Sequence, residues 1–119
     1  MFNSKVSFVI GLNAYSRPYP ESTAVKAVTE ELAVHGIDGF SLTRGIGFWR
    51  GAQEDIITVS VLVTPDSVLP TYAERIAQVL AIRLNQECVL WSIDAADAGL
   101  SYAAHNDNFR ATPVAAKAA

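Results

Sequence analysis

The chain predicts an α+β domain in which four strands form one antiparallel sheet and two helices cover one of its faces. Three observations lead there. Four stretches alternate apolar and polar residues with the period of two that a half-buried strand requires. Two other stretches carry apolar residues at helical spacing. Their order along the chain is strand, helix, strand, strand, helix, strand. In that order the right-handed crossover rule puts the first and third strands in the centre of the sheet and the second and fourth at its edges. This is the ferredoxin-like βαββαβ layout.

The first strand runs from Val6 to Leu12, where Val6, Phe8, Ile10 and Leu12 share a face. Tyr15-Ser16-Arg17-Pro18-Tyr19-Pro20 comes next as a stiff loop, because each proline fixes its own φ and pushes its predecessor out of the helical region. From about Glu21 to His35 the spacing becomes helical, with Val25, Val28 and Leu32 on one stripe. Glu21 and Ser22 suit the start of that helix, and His35 with Gly36 suits its end.

Phe40, Leu42, Ile46 and Phe48 mark the second strand, with Arg44 interrupting the apolar face, and Ile57, Val59, Val61 and Val63 mark the third. The polar segment Trp49 to Asp55 joins them as a hairpin connection. After a Pro65-Asp66-Ser67 break, a second helix spans about Leu69 to Asn85. Its stripe is Ala73, Ile76, Leu80 and either Leu84 or Val79, with Pro70 tolerated in the first turn. Cys88, Val89, Leu90, Trp91 and Ile93 form the fourth strand. The ferredoxin-like domain therefore covers residues 1–94. Residues 95–109 read as a loosely packed extension anchored by Leu100, Tyr102 and Phe109, and the Ala-rich residues 110–119 as a disordered tail.

Composition narrows the function. With 119 residues, half of them hydrophobic, there is material for one core and not for two domains. A net charge of -3 gives no electrostatic basis for general binding to nucleic acid or to an anionic membrane. Cys88 is the sole cysteine, which excludes an intramolecular disulfide or a cysteine metal site and fits a reducing compartment. Met1-Phe2-Asn3-Ser4-Lys5 has no basic region ahead of a long apolar run, so a cytoplasmic location is expected.

No catalytic constellation is apparent. The two histidines, His35 and His105, lack metal-ligand spacing and a neighbouring nucleophile, so neither a metal site nor a hydrolytic triad is expected, and no cofactor is implied. Cys88 reads as an inert strand thiol. Glu54 and Asp55 are adjacent, so in a strand their side chains point to opposite faces and make a poor acid/base pair. Gly45 and Gly47 inside a strand imply a bulge or a close approach by another backbone or a ligand.

Two clusters suit binding. Arg44, Trp49 and Arg50 combine the residue types that most often anchor binding surfaces. Tyr15, Arg17 and Tyr19 offer stacking faces and a cation on a proline-stiffened loop. Val9, Ile56, Leu62, Val89, Trp91 and Ile93 are expected on the uncovered sheet face, which predicts a homo-oligomer formed through that face or through an edge strand.

The Gly-punctuated segment Thr43-Arg44-Gly45-Ile46-Gly47-Phe48-Trp49-Arg50-Gly51 and the segment Asn85-Gln86-Glu87-Cys88-Val89-Leu90 resemble small ferredoxin-like proteins, some of them phage-encoded. Over roughly residues 5 to 94 the layout is also similar, more distantly, to P-II signalling and divalent-cation-tolerance proteins. Those proteins are trimers that bind small ligands between subunits, near the loop joining strands two and three, and the likeness implies oligomerisation and a loop-centred site. The basic phosphate cluster of the P-II kind is missing here. The expected function is non-enzymatic: an oligomeric binding or regulatory protein that holds a small anionic or nucleotide-like ligand, or a host protein. The alternative is a small cofactor-independent enzyme, an isomerase or monooxygenase-like protein, with a pocket between helices and sheet that uses His35, Tyr15 or Tyr102. A purely structural oligomer is the third reading.

Overall fold

A computed structural model of the chain describes residues 1–15 and 17–103. The expected tail at 110–119, His105 and Phe109 lie outside the described residues. Six strands and two helices succeed one another as β1 (Phe2–Gly11), β2 (Asn13–Ala14), β3 (Arg17–Pro18), α1 (Glu21–Val34), β4 (Ser41–Trp49), β5 (Ala52–Val63), α2 (Leu69–Arg83) and β6 (Leu90–Ala98). The four long strands form one antiparallel sheet in the order β4-β5-β1-β6, and β2 with β3, two residues each, forms a separate short hairpin between β1 and α1. The fold is α+β, with β1 and β5 central and β4 and β6 at the edges.

The core lies between the sheet and the helices. Val6, Phe8 and Ile10 of β1 and Ile57, Val59, Val61 and Val63 of β5 meet Ala24, Ala27, Val28 and Leu32 of α1 and Leu69, Ala73, Ile76, Ala77, Leu80 and Leu84 from α2 and its C-cap. The register explains why these residues are buried together, since Phe8 lies opposite Val59 and Val6 opposite Val61. Of the two residues expected to complete the α2 stripe, it is Leu84 that is buried. In α1 the stripe shifts by one residue, so that Ala24 rather than Val25 is fully covered.

Both helices end in the same way. Gly36 at φ 77° and Asn85 at φ 52° adopt the left-handed conformation, and the next backbone N–H groups, of Ile37 and Gln86, donate back to the carbonyls of Leu32 and Ala81. This six-to-one bond satisfies carbonyls that a helix end leaves open. Asn85 takes the place that glycine usually holds, which is why the helical pattern alone runs two residues too far, to Asn85 rather than Arg83.

Two sequence expectations are corrected. The hairpin connection is not seven residues long: β4 and β5 stay paired to Trp49–Ala52, leaving Arg50 (φ 50°) and Gly51 (φ 82°) as a two-residue turn of the kind that matches strand twist. Strand pairing therefore extends through the polar Gln53-Glu54-Asp55 segment, because a ladder needs only backbone groups. The second correction concerns the edge strand β6. Trp91 pairs opposite Phe8 and Ile93 opposite Val6, so both lie on the helix-covered side, and Val89 is buried in the core. Alternation separates two sets of residues without saying which set faces inward, and the continuous apolar run Val89-Leu90-Trp91 hides the phase. The uncovered face carries Val9, Ile56, Leu62 and Leu90 among Lys5, Ser7, Thr58, Ser60 and Ser92, a mixed surface. β6 also continues to Ala98, beyond the expected boundary at residue 94, with Ala98 opposite Phe2.

Phe8 touches both layers from the middle of the central strand. Phe8→Ala is expected to lower unfolding free energy by about 3–5 kcal/mol, read as a lower urea midpoint at unchanged m-value. Trp91→Ala on the partly exposed edge should cost clearly less.

Candidate functional site

β1 stops at Gly11, opposite Ile56, with one last bond from the Leu12 N–H to the Asp55 carbonyl at 2.9 Å, while β5 runs on through Glu54 and Gln53 to Ala52, paired there only with β4. The missing stretch of central strand leaves a pocket of about 720 Å³ on the uncovered face, bounded by the β4–β5 hairpin tip, the end of β1 and the loop between α2 and β6. That volume lies within the range of small-molecule sites, about 300–1,000 Å³.

Glu54 lies on the pocket floor. Opposite Gly47 in the ladder, it projects to the uncovered face, and its carboxylate rests over Gly11. A Cβ at Gly11 would sit 2.5 Å from Glu54 Oε1, so the absent side chain is what makes room for the acid. Among the described residues the Glu54 carboxylate has neither an ion-pair nor a hydrogen-bond partner. Asp55 projects to the other face, as expected from adjacency in a strand.

Tyr19 lies beneath. Its hydroxyl donates to the Gly11 carbonyl at 2.7 Å, which fastens the loop before α1 to the end of β1. Burial, together with the nearby Glu54 charge, pushes the Tyr19 phenol up to about 12. Tyr15, at φ 51°, lines the pocket from above, and Arg17 is exposed on β3. Ser16 between them is outside the described residues.

The far wall is built by Glu87. One of its oxygens accepts from Trp49 Nε1 at 2.8 Å and the other from Arg50 Nη2 at 2.7 Å, while the Arg50 guanidinium lies 5.5 Å from the Trp49 ring centroid. Gln86 Nε2 donates to the Asn13 carbonyl at 2.8 Å and ties the same loop to β2. Phe48 and Cys88 complete the rim. The apolar part of the floor is Val9, Ile56 and Leu90.

The structure thus gathers Tyr15, Trp49 and Arg50 at the pocket, places Tyr19 just below it, and separates Arg44. The Arg44 side chain is on the opposite sheet face, where Nε and Nη2 donate to the two Glu21 oxygens at 2.6 and 3.0 Å at the start of α1. The hydrogen bonds from Arg44 to Glu21 hold its guanidinium pKa above the usual arginine value. The glycines of β4 form no bulge, because its register with β5 is continuous from Ser41 to Trp49. Instead Ile56 lies against Gly47, where an added Cβ would come within 3.0 Å of it.

Sequence reasoning passes over Glu54, Glu87, Gln86 and Gly11 as ligand-pocket residues. The only local signal is the glycine set, Gly11 and Gly47, which flanks Glu54 once β1 and β4 sit on either side of β5. That adjacency is non-local. His35 caps α1 and stacks on Tyr72 with centroids 5.3 Å apart, and neither it nor Tyr102 lines the pocket. Among the described residues no cluster of His, Cys, Asp and Glu could hold a metal ion, and no helix is long and apolar enough to cross a membrane.

Because the phenol is protonated more tightly in the folded state, its contribution to stability is fully present below pH 10 and is lost as the pH rises towards about 12. Urea unfolding across that window should show stability falling, and Tyr19→Phe should flatten the fall. Glu54→Gln should lower the Tyr19 value yet leave it above 10, since burial is the larger cause, as read by the ultraviolet absorbance of phenolate.

No protein-family model and no curated protein matches this chain. Solved structures do. A phage SAM lyase in complex with S-methyl-5'-thioadenosine superposes with a TM-score of 0.63 at 17% identity, over 78% of this chain and 81% of that one. A phage SAM lyase in its apo state gives 0.63 at 18%, over 79% and 81%. A de novo designed ferredoxin-fold protein aligns at a TM-score of 0.31 and 14% identity, over 90% and 96%. At these identities the likeness to the lyase is one of fold.

Proposed function

We propose that this protein is a ferredoxin-like βαββαβ domain that takes S-adenosylmethionine into the Glu54 pocket and cleaves it to S-methyl-5'-thioadenosine. The observation that carries the reading is the half-buried Glu54 carboxylate, unpartnered among the described residues, on the floor of an aromatic-walled pocket. A partly covered carboxylate without a counter-charge favours a cation over an anion beside it. Arg50, the one arginine lining the pocket among the described residues, already shares a carboxylate with Trp49, so an anion would find no free positive charge there. The expectation of a small nucleotide-like ligand is kept, and its charge is reversed.

S-adenosylmethionine offers what the pocket lacks: a permanent sulfonium, an ammonium and a flat purine. Tyr15 and Trp49 supply stacking surfaces for the ring, and Glu54 supplies the counter-charge for the ammonium, whose charge persists through the reaction. Breaking the bond between sulfur and the four-carbon amino-acid chain returns the electron pair to sulfur. The remaining carbon can be closed by the substrate's own carboxylate, so the protein need supply no nucleophile. In that step a cation and an anion neutralise each other, and a pocket floored by Val9, Ile56 and Leu90 favours such a loss of charge over water. The fold shared with a phage SAM lyase supports the reading.

The same reading places the protein in the cytoplasm with its substrate, and as a homo-oligomer. Its edges suit association: β4 exposes Ile46 and Phe48, at 61% and 70%, and β6 exposes Leu90, Trp91 and Ile93, each beside an unpaired row of backbone groups.

Purified protein incubated with S-adenosylmethionine should release S-methyl-5'-thioadenosine, followed by liquid chromatography and mass spectrometry. Glu54→Gln should raise KM about tenfold, the factor equivalent to about 1.4 kcal/mol of a charge-assisted contact, with a smaller change in kcat. Stoichiometric retention of unchanged S-adenosylmethionine would replace cleavage by sequestration. Neither turnover nor retention would overturn the assignment.

A further inference from the structure

The two sheet edges are joined by one side chain. β4 and β6 are the outermost strands, with β5 and β1 between them, yet the tip of the β4–β5 hairpin reaches the loop that leads into β6. It does so beyond the end of β1, where no strand intervenes. Glu87 is the point of contact, and both of its oxygens are used: one holds the Trp49 indole N–H and the other the Arg50 guanidinium. The same guanidinium lies against the Trp49 ring. The Glu87 loop is itself anchored by Gln86 to the Asn13 carbonyl. Trp49 would otherwise be the last side chain before a two-residue turn at the end of a long hairpin, free to take other rotamers and 44% exposed even as it stands.

The two acids of the pocket therefore differ in kind. Glu54 has open lone pairs and no cation among the described residues. Glu87 has each oxygen engaged by its own chain and its charge already met by Arg50.

We propose that Glu87 is a positioning residue: its carboxylate pins Trp49 and Arg50 across the end of β1 and so sets the aromatic wall on which the flat ring of a nucleoside-type ligand stacks. The ligand class rests on the S-adenosylmethionine reading of the pocket; the positioning of Trp49 does not. The pair is exposed to solvent, so salt weakens it, and its breaking changes populations by about two- to fivefold rather than unfolding the hairpin.

The test uses a Trp91→Phe background, in which Trp49 is the one tryptophan left of two. Acrylamide quenching, by a neutral quencher, reports the exposure of the Trp49 ring in ligand-free protein. Glu87→Gln should raise that quenching. Added sodium chloride should raise it in the parent towards the variant's value and leave the variant unchanged, whereas Glu54→Gln should leave it at the parent's value. S-methyl-5'-thioadenosine, which carries no net charge, should then bind Glu87→Gln about two- to fivefold more weakly than the parent. Unchanged quenching in Glu87→Gln overturns the positioning role. Raised quenching with unchanged affinity overturns the wall. Failure of the parent to bind S-methyl-5'-thioadenosine overturns the pocket's ligand assignment, while the quenching and salt series still decide whether Glu87 holds Trp49.

Discussion

The rest of the structure depends on the length of β1 relative to β5. Among the described strands β1 alone is paired on both sides by non-consecutive neighbours, β5 and β6, and it supplies Val6, Phe8 and Ile10 to the centre of the core. Its end at Gly11 is set by the segment leading to α1, which holds a short hairpin, two prolines and Tyr19. The Tyr19 backbone N–H donates to the Leu12 carbonyl and its hydroxyl donates to the Gly11 carbonyl. With those groups occupied, the chain turns towards α1 instead of continuing the ladder. β5 is under no such constraint and extends with β4 well past the core. One strand ending while its neighbour continues makes a concavity in a sheet that would otherwise present a smooth face, and this concavity is the pocket.

Charge then divides the pocket into a binding part and a supporting part. Arg44 and Glu21 neutralise each other on the helix side, where an arginine would otherwise stand unpaired in a row of apolar residues on β4. Arg50 and Glu87 do the same at the rim. Arg83 donates to Glu30 at 2.6 Å on the helix surface and holds the Glu30 carboxyl below its usual range. After these pairings Glu54 is the pocket carboxylate left without a cation among the described residues. An exposed ion pair adds little to stability, so the meaning of these contacts lies in which groups they remove from ligand binding.

Much of the fold was legible because it rests on local periodicity. The alternation at Val6-Phe8-Ile10 and Ile57-Val59-Val61-Val63, and the helical spacing of Ala73, Ile76 and Leu80, each reflect one face meeting one core. β6 was harder, since an edge strand half covered by α2 has apolar residues on both faces and its phase is set by pairing with β1. The site was legible in part. Trp49 and Arg50 stood out by residue type, and Tyr15 by its stiff loop. Glu54 did not, because its role comes from Gly11 on one neighbouring strand and Gly47 on the other, forty-three and seven positions away along the chain. Arg44 misled for the opposite reason: its type suits binding, and only the register shows that it points to the helix side and meets Glu21.

A pocket built at the end of a strand has a further consequence for how tightly its parts are held. The floor belongs to the sheet: Gly11, Ile56 and Gly47 are fixed in the ladders on the two sides of β5, and the Glu54 backbone is held in the same sheet by its pairing with Gly47. The rim belongs to a two-residue turn and a loop, joined through the Glu87 carboxylate and one amide from Gln86. Rigid placement of the charge with a looser aromatic wall suits a ligand that enters as a cation and leaves as a neutral molecule. On the proposed reading the ammonium that Glu54 attracts leaves with the four-carbon fragment, so the neutral thioether nucleoside keeps only stacking contacts, held by a rim whose fastenings face water. In such a site the chemistry of the ligand supplies the means of its own release, and no moving domain is needed in a chain of this size.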